Sequence, residues 1–411
     1  MTEHSFPQLL AALVAILVAT KFLGVVAQRV GQPAVVGELL AGVLLGGSFL
    51  GIIDPNDPTI RSFAELGVLV LLFEIGLHTN LRSLVKVKSE ATTVALAGVA
   101  LPFGLGYATA VALGLNTIPA IVCGAALTAT SIGISARTLS DLGRLDTPEG
   151  QIVLGAAVLD DIIGLVILSV VVGLVGGTAL SLAGVATTTA VAIGFVIAAL
   201  LLGRLVVPPL FRAVAKVEAS GTLGVAGLAF AFLLAWLADA AGSATIIGAF
   251  SAGIVLHDTP QRATIEKAAT QLGHFFVPIF FATVGAAVEL QTLADRRAIM
   301  LGLALIAVGV IGKVAAGYAP FWFKGDKALI GVAMVPRGEV GLIFASTGLA
   351  SGALTTQLYS AVAMMVLATT FITPPVLARM IKKRNSQLTP GTDKPGDGGI
   401  DDLVAGAAGN R

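Results

Sequence analysis

The sequence predicts an all-α polytopic membrane protein with about thirteen transmembrane helices. Three observations carry that prediction. Hydrophobic residues make up 56% of the 411 and charged residues 12%, about half the charge of an ordinary soluble domain. The apolar runs are continuous and about 20 residues long, as a helix crossing the hydrocarbon layer requires. They do not alternate as the strands of a transmembrane barrel would. Basic residues collect in every second connection and keep that phase along the whole chain. An ordinary soluble enzyme and a disordered protein are thereby excluded. With 25 Lys and Arg against 24 Asp and Glu, no surplus of positive charge is left to neutralise phosphates, which excludes a nucleic-acid partner.

Glycine, proline and charged residues divide the chain into apolar segments at 6–29, 33–52, 60–78, 89–114, 118–141, 151–176, 183–214, 221–240, 244–257, 270–289, 298–323, 327–350 and 356–381. MTEHSFPQ before the first has no basic stretch, so that segment is expected to be a retained helix and not a cleaved signal. GQP at 31–33, DPNDP at 54–58 and HTN at 78–80 separate the first four segments. NTIP at 116–119 opens the fifth, and LGRLDTPEG at 142–150 parts it from the sixth. Later breaks fall at EASG (218–221), AAGS (240–243), DTPQR (258–262), ADRR (294–297), KGDK (324–327) and SGALTT (351–356). Such short connections leave no room for an inserted soluble domain. The stretch 385–411, rich in Gly, Asp and Pro, is expected to be a disordered tail, too short for a nucleotide-binding regulatory domain.

Cys123 is the only cysteine, so neither an intrachain disulfide nor a cysteine metal site is expected. The 49 glycines suit closely packed membrane helices. Gly42 and Gly46 have the small-xxx-small spacing that favours a helix contact, including one in a dimer. The connection after the first helix, and every second one from there to Arg384, carry seventeen Lys and Arg; the others carry three, Arg61, Arg296 and Arg297. The positive-inside rule then puts the N-terminus outside and the C-terminus in the cytoplasm, which agrees with an odd number of spans.

Removing the loops leaves Lys21, Glu38, Glu65, Glu74, Asp160, Asp161, Lys313, Arg337 and Glu339 in or near the spans. A charge at a helix centre costs about 2.5–3.5 kcal/mol on insertion scales, so each of these needs a function or a partner. Asp160 and Asp161 sit mid-span in GAAVLDDIIGLVIL. Neighbouring helical residues point about 100° apart, so the two carboxylates serve different partners. One faces a water-filled cavity, and the other a cation on a neighbouring helix, for which mid-span Lys313 is the best candidate. A purely structural Asp–Lys bridge is the competing reading, but two adjacent acids are an expensive way to hold helices together. A buried carboxylate balanced between desolvation and a nearby cation can trade a proton for a small hard cation such as Na⁺ or Li⁺. Glu38 and Glu65, toward span ends, pair or snorkel; Lys21 snorkels; Glu74 lies deeper, without an assigned role. His78, His257 and His274 either sense pH or are incidental.

Two spans carry the marks of interrupted helices. GAALTATSIGISARTL at 124–139 places Thr128, Thr130 and Ser131 mid-membrane, and VAMVPRGEVGLIF at 332–344 places Pro336 and Gly338 beside Arg337 and Glu339. Proline removes a backbone hydrogen bond and glycine weakens a helix. Non-helical backbone at that depth lines a cavity or is buried in protein, and paired interruptions in the two halves mark the binding site of inverted-repeat transporters. Arg337 and Glu339 are read first as compensating the partial charges at half-helix ends. The Thr/Ser cluster either lines a site or bonds back to carbonyls one turn earlier.

Six strings, in order, resemble the cation:proton antiporters of the bacterial NapA type, within the larger Kef-like superfamily. They are QPAVVGELLAGVLLG (32–46), FAELGVLVLLFEIGL (63–77), ALTATSIGISARTL (126–139), GAAVLDDIIGL (155–165), IGKVAAG (311–317) and MVPRGEVGLI (334–343). The resemblance implies a homodimer in a prokaryotic plasma (inner) membrane, with a six-helix core that slides as an elevator against a fixed dimer scaffold. By residue, 1–114 would hold dimerisation helices 1–3 and the first core helix, and 115–180 core helices 5 and 6. Then would follow a linker helix in 181–217, dimerisation helices 8–10 in 218–292, core helices 11–13 in 293–384 and the tail in 385–411. Asp161 would bind the cation, Asp160 would pair with Lys313, and the crossed, broken fifth and twelfth helices would frame the site, with Thr130 and Glu339 at positions near that crossing; Ser131 joins them as a candidate from the Thr/Ser cluster.

The Asp-Asp pair resembles electrogenic members of the family, which move two protons per Na⁺; electroneutral members usually have Asn in place of the first Asp. Potassium-handling Kef relatives tend to have Gln there and a large cytoplasmic nucleotide-binding domain. His78 departs from relatives that often have an acid at that place. The expected function is therefore Na⁺(Li⁺)/H⁺ antiport, without a cofactor and without an enzymatic reaction; K⁺/H⁺ antiport and a Kef-like gated channel are the alternatives. An intramembrane aspartyl protease needs carboxylates converging from separate helices, whereas these two are neighbours on one.

Overall fold

The computed structural model describes residues 6–175, 182–217, 219, 221–287 and 296–388. Among the described residues there are sixteen helices and no strand. They are α1 (Phe6–Arg29), α2 (Ala34–Leu45), α3 (Pro58–His78), α4 (Leu81–Lys86), α5 (Lys88–Ala112), α6 (Thr117–Ala126), α7 (Ile132–Asp141), α8 (Pro148–Val175), α9 (Leu182–Val214), α10 (Thr222–Ala240), α11 (Thr245–His257), α12 (Arg262–Ala286), α13 (Arg296–Gly317), α14 (Lys327–Ala333), α15 (Glu339–Ala350) and α16 (Thr356–Leu388). Of the expected tail, 389–411 lies outside the described residues.

Each apolar segment falls on one helix, except the fifth, which is divided into α6 and α7, and the twelfth, divided into α14 and α15. Eight helices, α1, α5, α8, α9, α10, α12, α13 and α16, are long and apolar enough to cross a membrane; α2, α6, α11 and most of α15 are apolar but shorter. Short α4 adds to the expected segments. Asn80 starts it, its side-chain oxygen accepting from the Arg82 N–H at 2.8 Å. Helix α3 starts in the same manner, with Asp57 accepting from Thr59 and Ile60 and Pro58 in the first turn, where a missing N–H is harmless. At the start of α14, Asp326 accepts from the Leu329 N–H at 3.0 Å and pairs with Arg384, while its own N–H donates to Glu149 at 2.9 Å.

Lipid tails are as apolar as leucine, so these helices are held by close packing and internal hydrogen bonds. A Cβ at Gly42 would lie 2.1 Å from the Ala282 carbonyl oxygen, and one at Gly253 2.3 Å from that of Phe73. Glycine is what lets α2 close on α12, and α11 on α3. The Gly42 and Gly46 spacing therefore serves a contact inside the chain, with Ala282 and Ala286 of α12.

Helices α1, α2, α3, α10, α11 and α12 pack on one another, and α5, α6, α8, α13, α15 and α16 do likewise. Helix α9 touches α8, α10 and α11, and α7 meets α2, α3, α8 and α16. Leu71 and Leu72 of α3, Phe280 and Phe281 of α12, and Ile132 and Ile134 of α7 share one buried cluster.

Candidate functional site

The two interruptions meet. The Ser131 N–H, just before α7, donates to the Pro336 carbonyl at 2.9 Å, a main-chain bond from one break to the other. Around it, Ser135 Oγ donates to the Ala333 carbonyl at 2.6 Å, and Thr130 Oγ1 lies 3.2 Å from the Met334 carbonyl oxygen. The Ala333 carbonyl, at the end of α14, is thus satisfied from the other segment. A Cβ at Gly338 would lie 2.9 Å from Ser131 Oγ, so glycine there permits the contact.

Arg337 is wholly buried. Its Nη1 donates to the Ala129 carbonyl at 3.0 Å, beyond the C-terminal end of α6, where the helix dipole favours a cation. Its own carbonyl accepts from Thr370 Oγ1 at 2.6 Å. Glu339 is the first residue of α15, an end that favours an anion; its side chain lies outside the described residues.

Beside this junction, α8 carries Asp160 and Asp161, both buried. Asp160 Oδ2 accepts two hydrogen bonds, from Lys313 Nζ at 2.7 Å and from Thr130 Oγ1 at 2.7 Å. Neither the Lys313 nor the Asp160 side chain is exposed at all. The second oxygen, Asp160 Oδ1, is buried with no hydrogen-bond partner among the described residues. Asp161, the next residue on α8, lies about 100° further round the helix and within electrostatic reach of Lys313. The structure thus brings together Asp160, Lys313 and Thr130, with Asp161 adjoining, and hooks Ser131 into the junction by its backbone. Thr128 follows the other reading, donating back to the Ala125 carbonyl at 2.7 Å. Among the described residues no three His, Cys, Asp or Glu side chains converge as a metal site.

Most of the remaining ionisable residues have partners elsewhere. Glu65 pairs with Arg61 at 3.0 Å on an exposed face. Glu74 accepts from Thr270 Oγ1 at 2.7 Å. His78 Nε2 lies 3.5 Å from Glu266, and His257 Nδ1 lies 2.8 Å from the Leu77 carbonyl oxygen. Lys21 and His274 are exposed. Sequence reasoning missed one cluster. Arg137 lies 3.1 Å from Asp141 and 4.0 Å from Glu38, and the Asp141 carboxylate accepts from the backbone N–H groups of Ala34 and Val35. The end of α7 thereby caps the start of α2, which has no side-chain cap of its own. The spacing of Arg137 and Asp141, four residues apart on one helix, was the available signal.

An all-helical membrane protein with a sealed Asp–Lys pair where two interrupted helices meet belongs, by architecture, with the ion-coupled transporters. The comparisons narrow that class. The model of the family described as "Sodium/hydrogen exchanger, transmembrane" matches residues 5–383, and the chain belongs to that family. It is 38% identical to the high-affinity Na⁺/H⁺ antiporter NhaS3 of Synechocystis, over 94% of this chain and 92% of that one. It is 35% identical to the Na⁺/H⁺-K⁺ antiporter GerN of Bacillus cereus, over 88% and 93% respectively. The solved sodium proton antiporter MjNhaP1 of Methanocaldococcus jannaschii has a similar fold, with a TM-score of 0.67 at 18% identity over 90% of this chain and 99% of that one.

Proposed function

We propose that the protein is an electrogenic Na⁺(Li⁺)/H⁺ antiporter. The observation that carries this reading is the sealed Lys313–Asp160 bond beside Asp161 at the junction of the two breaks. Asp161 holds either a proton or a cation. A cation arriving there competes for negative charge, draws Asp160 away from Lys313, and the uncoupled ammonium gives up its proton. One proton leaves the Asp161 carboxyl and one leaves Lys313, against one cation bound, so each cycle carries net charge. Thr130 steadies Asp160 while Lys313 is absent, and Ser131 belongs to the same lining. Arg337 and Glu339 compensate the half-helix ends.

The chain crosses a prokaryotic plasma membrane thirteen times as inverted repeats with two crossed, broken helices, N-terminus outside and C-terminus in the cytoplasm. Helices α1–α3 and α10–α12 form the dimerisation scaffold of a homodimer. Helices α5–α8 and α13–α16 form the core, with α9 as linker, and the core slides as an elevator. The mutual packing of each helix set supports this division. K⁺/H⁺ exchange is the second reading, supported by similarity to a relative named for both Na⁺ and K⁺.

The test is a panel of cations and pH values in proteoliposomes under an imposed membrane potential. Saturable cation flux coupled to protons and accelerated by the potential is expected, and Asp161→Asn should abolish it. Flux down either gradient without coupling would indicate a channel, and full exchange by the Asn variant would end the proposal.

A further inference from the structure

The Lys313 ammonium must leave Asp160 in each cycle, and the helix opposite is shaped to receive it. Lys313 runs along α5. One residue before it, a Cβ at Gly312 would lie 3.0 Å from Pro102 N, so the two backbones are nearly in contact. The Lys313 side chain then extends toward Gly98, one turn earlier on α5. A Cβ at Gly98 would lie 3.1 Å from Lys313 Nζ, tighter than an ordinary contact, and 3.6 Å from its Cδ. The charged end of Lys313 lies in the notch that the absent side chain leaves. Pro102 lies inside α5, and proline has no N–H to offer the carbonyl four residues earlier, which is that of Gly98. One residue therefore presents both a bare backbone and a carbonyl without its usual helical donor, next to the Lys313 ammonium.

We propose that Gly98 is a positioning residue for Lys313: its notch gives the ammonium room to swing off Asp160, and its carbonyl accepts the ammonium while Asp160 attends to the cation. This rests on the antiport reading. Lys313 then has two seats, a carboxylate on α8 and a peptide oxygen on α5, and keeps a hydrogen bond throughout the exchange.

Gly98→Ala fills the notch and should lower cation-driven proton flux about tenfold, the effect of losing a hydrogen bond to a charged group, and shift the pH profile, with the KM for cation little changed. Pro102→Ala restores an N–H that takes the Gly98 carbonyl, and should slow exchange in the same direction by less. Melting temperature separates this role from simple helix packing. Gly98→Ala should lower it in the native protein but not in a Lys313→Ala background, where the ammonium no longer crowds residue 98. An equal fall in both backgrounds, or unchanged flux and pH profile in Gly98→Ala, overturns the proposal. If the native protein shows no coupled exchange, the antiport reading fails by itself, while the melting comparison still reports whether Lys313 is seated against Gly98.

Discussion

The Lys313–Asp160 pair and the Arg137–Asp141–Glu38 cluster set the same charges in opposite surroundings. The first is sealed, with both side chains fully buried, and a neutral hydroxyl, Thr130, shares the carboxylate. The second is partly wet, with the Arg137 side chain 27% exposed, and backbone amides share its carboxylate. Water cannot relieve a sealed pair when one partner leaves, whereas a partly wet one relaxes into solvent. A sealed pair suits a place where the departure of one charge must be matched by the arrival of another. A wet pair can open and re-form at little cost, and this one ties α7 to α2.

Lys313→Ala breaks the comparison most severely. It should destabilise the protein by about 3–5 kcal/mol, the usual result of leaving a buried charge alone, measured as unfolding free energy in detergent, and the double variant with Asp160→Asn should recover part of that. The proton-to-cation ratio, read from reversal potentials, should fall in Lys313→Ala more than cation binding does. A loss below about 1 kcal/mol would place both clusters in one class. Asp141→Ala is expected to cost about 1 kcal/mol, the worth of a helix cap, with faster hydrogen exchange at the Ala34 and Val35 amides; unchanged exchange there would deny the cap. The smallest effect belongs to a reference pair. Glu65→Gln removes the exposed partner of Arg61 and should alter stability by no more than about 0.5 kcal/mol, with transport unaffected.

Much of this site was legible in the chain because membrane chemistry allows few exceptions. Lys313 was traceable as the partner of one of the two aspartates because a lone ammonium mid-span has few acids to choose from; only the family resemblance pointed to Asp160. The breaks announced themselves through Pro336, Gly338 and the threonines. What stayed hidden depends on rotation and distance. Thr128 and Thr130 are two residues apart, yet one bonds back to its own segment and the other reaches α8. Only the course of the interrupted backbone decides which. Arg137 is one of the seventeen basic residues of the positive-inside count, which needs only its side of the membrane. Its bridge to α2, and the cap provided by Asp141, join stretches far apart in the chain, and no local pattern records them.

The bond from the Ser131 amide to the Pro336 carbonyl is made of peptide groups alone. No side-chain replacement can delete either atom, short of proline at 131. Lining residues can therefore be retuned for a larger or smaller ion while the frame that holds them persists, which separates the evolution of selectivity from that of the architecture.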